Sequence, residues 1–135
     1  MNRLAVNKFE TYQNNAVNTA SGGELTMMLY NGCMKFIKQA IKDMEQKDIE
    51  KKNEHIQKAQ RIIQELMITL DQKVELSKQM LPLYEYMYHR LMEANINNDP
   101  SMLEEVLAYV VEFRDVWKEV LLQSRTSGYT QGARI

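Results

Sequence analysis

The side chains best suited to acid–base or metal chemistry in this sequence are two histidines, His55 and His89. Neither has a companion cysteine, whereas a catalytic zinc normally takes three protein ligands at characteristic spacing. Di-iron bundles place a glutamate three residues before each histidine ligand, but Tyr86 occupies that position here and Glu85 stands four residues before His89. The sequence therefore predicts no metal site.

His89 leaves one enzymatic alternative open, a helical phosphotransfer domain, which needs a single exposed histidine on a four-helix bundle. The residues that follow it, Arg90 to Glu93, lack the lysine and glycine found at such sites. Gly22 and Gly23 are not followed by the lysine of a phosphate-binding loop, and no strand–turn–helix pattern exposes a serine nucleophile. We therefore expect a protein that is not an enzyme and binds no cofactor.

Composition narrows the class of protein further. The 135 residues are 44% hydrophobic, which suffices for one domain with a core. Seventeen basic and eighteen acidic side chains give a net charge of -1, so no overall field attracts nucleic acid. No apolar run approaches the roughly eighteen residues of a membrane span, and the N-terminus lacks a secretion signal. We expect a cytoplasmic protein with no membrane insertion, and Cys33, its single cysteine, in the core.

Capping residues and apolar periodicity divide the chain into four helices. Ser21 and Glu24 fit a capping box at the first helix, Asp48 is a candidate cap for the second, and Asp99 followed by Pro100 begins the fourth. The predicted helices cover residues 24–44, 49–70, 77–96 and 100–123. β-branched alternation is absent, so strands are not expected.

Four helices of about 20 residues joined by short loops must run antiparallel to their neighbours. The predicted fold class is all-α, an antiparallel up-and-down four-helix bundle over residues 21–123, with Pro82 near the start of the third helix, where proline is tolerated. Residues 124–135 lack periodicity and should form a flexible tail. Residues 1–20 mix Asn and Gln with spaced apolar side chains, so we expect them to pack on the bundle.

The first predicted helix is apolar around more of its circumference than a bundle helix requires. One stripe contains Leu25, Met28, Leu29, Gly32, Phe36 and Ala40, and a second contains Met27, Tyr30, Met34, Ile37 and Ile41. A surface helix needs an apolar arc of roughly 100°, whereas this one spans about 250°. Either the helix is central, or its spare face binds the N-terminal segment, a partner or a second copy. Methionines on this face suit a partner because they repack easily, although they also fill irregular cores.

Blocks of residues along the chain resemble the FliS family of flagellin export chaperones. The first block resembles the start of that family and contains Tyr12, 17–20, 24–25 and 28–32. The second block resembles its third helix and turn and contains 83–91, 94–95 and 98–99. The third block resembles its fourth helix and contains Val106 and 113–118. The resemblance extends from about residue 9 to residue 118. It departs at Gly22 and Gly23, where many relatives carry a proline, and this affects only the start of the first helix.

The resemblance implies a chaperone without catalytic activity. It implies that the bundle binds the disordered C-terminal segment of flagellin, one-to-one, prevents premature polymerisation, and meets a component of the flagellar type III export gate with its cargo bound. It also implies that the N-terminal segment, including Tyr12, covers the binding groove until flagellin arrives.

Ten apolar or aromatic residues are the candidate partner-binding groove, in which flagellin pieces fold on binding. They are Tyr12, Val17, Leu25, Met28, Leu29, Ile56, Ile63, Tyr84, Met87 and Tyr88. We expect some of them to prove ordinary core residues, because periodicity alone does not separate a core stripe from a binding stripe.

Overall fold

The structure, a computed structural model, describes residues 22–71 and 73–126. Four helices follow one another: α1 (Gly22–Glu45), α2 (Ile49–Thr69), α3 (Glu75–Asn97) and α4 (Pro100–Thr126). Helices α1 and α3 each pack against both α2 and α4 and lie diagonally opposite one another. Since successive helices touch and are joined by short turns, the chain reverses direction at each turn. Over the described residues the all-α four-helix bundle is confirmed.

Polar caps fix two of the helix starts, as predicted. Asp48 is the N-cap of α2 and accepts a hydrogen bond from the Lys51 amide at 3.1 Å. Asp99 accepts one from the Ser101 amide at 2.9 Å just before α4. At the end of α3, Asn98 adopts the left-handed conformation (φ 50°, ψ 44°) that asparagine tolerates, and its side-chain oxygen accepts a hydrogen bond from buried Lys52.

The third helix begins earlier than the sequence indicated. It starts at Glu75, two residues before the predicted Ser77, because its N-cap is Val74, which has no side-chain hydrogen bond to signal the start. Pro82 is therefore the eighth residue of the helix rather than part of its first turn. Its missing amide costs the helix one backbone hydrogen bond, yet α3 continues through it to Asn97.

The outer boundaries of the bundle were predicted less completely. α1 begins at Gly22, but Ser21 lies outside the described residues, so its capping role stays a prediction. α4 continues to Thr126, past the predicted end at Gln123. The packing of residues 1–20 and the flexibility of the remaining tail, 127–135, also fall outside the described residues. None of the described helices is long and apolar enough to cross a membrane.

Apolar side chains from all four helices form one core. The largest fully buried ones are Trp117, Tyr30, Tyr84, Ile37, Ile56, Ile62, Ile63, Leu66, Met87, Leu91, Leu103 and Val106. Tyr30 and Tyr84 join α1 to α3 across the diagonal through a 2.6 Å hydrogen bond between their hydroxyls, which satisfies two polar groups that would otherwise be buried without partners. Cys33 is buried as predicted, and burial raises the pKa of its thiol to about 12.

Helix α1 is central, which resolves the question of its two apolar stripes. Side chains from both stripes enter the core, Leu29 and Ala40 from the first and Tyr30, Met34 and Ile37 from the second, because α1 packs on α2 and α4 and reaches α3 through Tyr30. The expected spare face of this helix is therefore mostly consumed by the bundle. The large apolar side chains that stay exposed belong to the other helices: Ile49, Ile68, Leu76, Leu83, Tyr86, Met92, Ile96, Val116 and Leu122.

Candidate binding surfaces

The two histidines do not assemble a reactive centre. His55 Nδ1 lies 2.5 Å from the Oδ2 of buried Asp43, and the ring of Phe36 stacks on it at 6.1 Å between centroids, so His55 ties α2 to α1. His89 is exposed on α3 and touches the ring of Tyr88 edge-on. Within residues 22–71 and 73–126, no three His, Cys, Asp or Glu side chains gather as metal ligands.

Of the ten predicted groove residues, the eight that the structure describes differ in burial. Five of them are buried in the core, namely Leu29, Ile56, Ile63, Tyr84 and Met87. Leu25 and Met28, on the first turns of α1, and Tyr88, on α3 beside α2, are half-buried and reach the surface. Tyr12 and Val17 lie outside the described residues. In this conformation the five core side chains do not face solvent. They would affect partner binding only indirectly, by supporting the residues that form the protein surface.

A groove of about 340 Å³ lies between the start of α1 and the end of α4. We call this the α1–α4 groove; its lining is Glu24, Met27, Met28, Lys118, Leu121 and Leu122. Its apolar walls are two methionines and two leucines, Glu24 and Lys118 complete the lining, and Leu122 is 47% exposed. Flexible, polarizable methionine walls suit the binding of apolar side chains of varied shape.

Gly23 allows the two helices to approach closely at this groove. A Cβ at this position would lie 2.5 Å from Cδ2 of Leu121, and the indole of Trp117 donates a 2.8 Å hydrogen bond to the Gly23 carbonyl. Sequence reasoning missed this packing role of Gly23. The groove also lies where residues 1–21 join α1, since Gly22 is the first residue of that helix.

A second apolar surface follows the seam between α3 and α4. We call it the α3–α4 face and define it by Leu83, Tyr86, Tyr109, Phe113 and Val116. The ring of Tyr86 contacts that of Tyr109 edge-on, and the ring of Tyr109 stacks on that of Phe113, each at 6.3 Å between centroids. These contacts connect the exposed end of the face to the core. Leu83 is 42% exposed and Val116 is 57% exposed, so the face is only partly covered by its own helices.

A polar brace holds the seam together beside this face. The Glu105 carboxylate accepts hydrogen bonds from Arg90 Nε at 2.6 Å and from the Tyr86 hydroxyl at 2.8 Å. The Arg90 and Tyr86 hydrogen bonds lower the pKa of Glu105, and the bond to Glu105 raises the pKa of Tyr86. Sequence reasoning missed the face, although the i, i+4, i+7 spacing of Tyr109, Phe113 and Val116 was a usable signal.

Apolar grooves on a helical bundle are the type of surface that binds helical segments of other polypeptides. The sequence model described as "Flagellar protein FliS" matches residues 5–124. The chain belongs to the FliS family.

Curated relatives agree with this assignment. The chain is 52% identical over 126 residues to the flagellar secretion chaperone FliS of Bacillus subtilis (strain 168), covering 93% of this chain and 95% of the relative. It is 38% identical over 110 residues to the protein of the same name from Escherichia coli (strain K12), covering 79% and 81%. The corresponding protein of Salmonella typhimurium is 35% identical over 108 residues, covering 78% and 80%.

Proposed function

We propose that this protein is a cytoplasmic flagellar export chaperone that binds the disordered C-terminal segment of flagellin. It prevents premature polymerisation of the filament and assists delivery to the type III export apparatus, where it contacts a gate component while carrying its cargo. Membership in the FliS family and relatives named flagellar secretion chaperones support the export role. The observation that carries the proposal is the apolar surface left outside a complete core.

The flagellin segment gains its affinity from apolar burial and loses most of that gain to ordering. Coupled folding and binding typically buries about 1,000 to 3,000 Å², which at about 25 cal/mol per Å² corresponds to tens of kcal/mol. Ordering each residue costs about 1 to 2 kcal/mol of backbone entropy. The remaining affinity falls between micromolar and nanomolar, which suits a chaperone that must release its cargo at the export gate.

We assign one flagellin contact region to the α1–α4 groove. Met28 lines this groove, and Leu25 lies on the same first turns of α1; we propose a flagellin-binding role for both. Residues 1–20, with Tyr12 and Val17, cover this groove in the absence of flagellin and leave it when flagellin binds. The groove adjoins the point where that segment meets α1, so a short segment reaches it.

The test is calorimetric titration of the purified protein with full-length flagellin and with flagellin truncated at its C-terminus. Full-length flagellin should bind one-to-one, and the truncated form should not bind. The variant Met28→Glu, in the groove, should weaken binding at least tenfold. Its matched control is Ile68→Glu, at a side chain that is 75% exposed on α2 and outside the groove, and it should leave binding unchanged. Equal binding of both flagellins would contradict the proposal.

A further inference from the structure

We infer that Met27 and Met28 make the α1–α4 groove sensitive to oxidation. A hydroperoxide converts their thioethers to sulfoxides, which weakens the binding of apolar cargo, and reduction of the sulfoxides by thiols restores it. The inference rests on the proposed function for the identity of the cargo. It adds a chemical control of the same binding site.

Both methionines lie where a small oxidant can reach them. Met27 and Met28 are half-buried and line the α1–α4 groove, about 340 Å³ in volume, at the protein surface. A water molecule occupies about 30 Å³ in the liquid, so the groove admits hydrogen peroxide, which is only slightly larger. Residues 1–20, the proposed cover of the groove, slow this access without preventing it, because they must leave the groove before flagellin can enter.

Burial and position distinguish these two methionines from others in the bundle. Met34 is 8% exposed and Met87 is 1% exposed, so the folded core protects their sulfur atoms. Met92 is 41% exposed, but it lies on α3, which contributes nothing to the lining of the groove. The chain therefore contains buried methionines that should resist an oxidant and an exposed one whose oxidation should leave the groove unchanged.

The reaction transfers one oxygen atom to sulfur. A lone pair of the thioether attacks the terminal oxygen of the hydroperoxide, the S–O bond forms and the O–O bond breaks. The sulfur is oxidised by two electrons and the peroxide is reduced, since the leaving oxygen takes the proton of the transferred one and departs as water or an alcohol. Two thiols reverse the step by forming a disulfide and releasing the oxygen as water, and methionine sulfoxide reductases catalyse this reversal.

A sulfoxide changes what the groove can bind. Met27 and Met28 supply the apolar wall on α1, and Leu121 and Leu122 supply the wall on α4, so oxidation alters one whole apolar wall. Each flexible apolar side chain becomes a polar one, whose oxygen is a hydrogen-bond acceptor. An apolar cargo side chain cannot donate to this oxygen. Binding would therefore bury an unpaired acceptor, which corresponds to a loss of about tenfold to hundredfold in affinity.

The experiment treats the purified full chain with hydrogen peroxide, removes the peroxide, and titrates the protein with unoxidised full-length flagellin by calorimetry. Mass spectrometry of peptides measures the oxidation of each methionine. Met27 and Met28 should oxidise well before Met34 and Met87, and affinity should fall at least tenfold. Methionine sulfoxide reductase with a thiol should restore the affinity. When flagellin is bound during the treatment, it should protect Met27 and Met28 but not Met92.

Matched variants assign the effect to the two sulfur atoms, and each variant is its own reference before and after peroxide. The double variant Met27→Leu and Met28→Leu keeps apolar side chains of similar volume that peroxide does not oxidise. Its affinity should change less than twofold on treatment. Met92→Leu removes an oxidisable side chain outside the groove, so peroxide should weaken its binding as much as that of the wild type.

Failure of this inference is distinguishable from failure of the proposed function. If the untreated wild type binds no flagellin, the proposed function is wrong. If the untreated protein binds, and protein oxidised at Met27 and Met28 binds equally well, the inference is overturned while the proposed function stands. The inference is also overturned if peroxide weakens the double leucine variant as much as the wild type, or if Met92→Leu prevents the loss of affinity.

Discussion

The interface between α1 and α2 and the seam between α3 and α4 use apolar residues in different ways. At the first, Cys33, Ile37, Ala59 and Ile62 are fully buried, and the helices come so close that a Cβ on Gly32 would lie 3.2 Å from Cδ1 of Ile62. At the second, Leu83, Tyr86 and Val116 stay substantially exposed. The apolar side chains named between α1 and α2 are fully buried, whereas those between α3 and α4 still expose apolar surface that further contacts can bury. The first interface stabilises the bundle, and the second leaves apolar surface exposed to solvent.

The largest expected effect is a loss of stability at the interface between α1 and α2. Ile62→Ala should lower the free energy of unfolding by about 2 to 5 kcal/mol, because it leaves a cavity among fully buried neighbours. The same truncation at Ile68, on the same helix but 75% exposed, should stay within about 0.5 kcal/mol. Urea unfolding followed by circular dichroism measures both. Equal losses would mean that burial does not distinguish the two positions.

A smaller effect is expected where the two halves of the bundle meet, at the hydrogen bond between Tyr30 and Tyr84. Tyr84→Phe removes one hydroxyl and leaves that of Tyr30 buried without its partner, which should cost about 1 to 3 kcal/mol of stability. The double variant Tyr30→Phe and Tyr84→Phe should lose less than the sum of the two single variants. A strictly additive cycle would show that the two hydroxyls do not stabilise one another.

Alkaline pH should weaken the interface between α1 and α2 through Cys33. Burial raises the pKa of its thiol from 9.0 to about 12, so the folded protein keeps the thiol neutral while the unfolded chain ionises it. The stabilisation is complete well below pH 9 and is lost as pH rises, by about 1 kcal/mol between pH 9 and pH 10 for this group, and the slope approaches about 1.4 kcal/mol per pH unit above that. Unfolding free energies at pH 8, 9 and 10 measure the slope. Cys33→Ala should flatten the slope between pH 9 and pH 10, and an unchanged slope in that variant would assign it to other groups.

The smallest expected effect concerns the open seam. Val116→Ala removes apolar atoms that face solvent in the free protein, so its stability should stay within about 0.5 kcal/mol of the wild type. The measurement is the same urea titration. A loss as large as that of Ile62→Ala would show that Val116 is already covered in the free protein, and the contrast between the two regions would disappear.

The sequence was sufficient for the fold because the signals for it are local. Asp48 and Asp99 mark helix starts through their own side chains, and short loops then force the bundle. The start of α3 was misplaced because Val74 gives no such signal. The packing predicted for residues 1–20 and the flexibility predicted for the tail remain predictions, because those residues lie outside the part of the chain that the structure describes.

The sequence was insufficient for the binding surface because burial is decided by neighbours distant in the chain. Tyr84 and Tyr86 are two residues apart and equally aromatic, yet one is buried and the other exposed, since packing against α2 and α4 fixes which side of α3 faces inward. The two apolar stripes of α1 are visible from periodicity, but the neighbouring helices that cover them are not.

The central claim is that flagellin is held by burying apolar surface that the bundle leaves open. Its most direct test is the enthalpy of binding full-length flagellin, measured by calorimetry over a range of temperatures. Burial of apolar surface requires the enthalpy to become steadily more favourable on warming, which is a negative heat-capacity change. A heat-capacity change near zero, together with binding that disappears as salt is raised, would show that charge rather than apolar surface holds the cargo and would contradict the account.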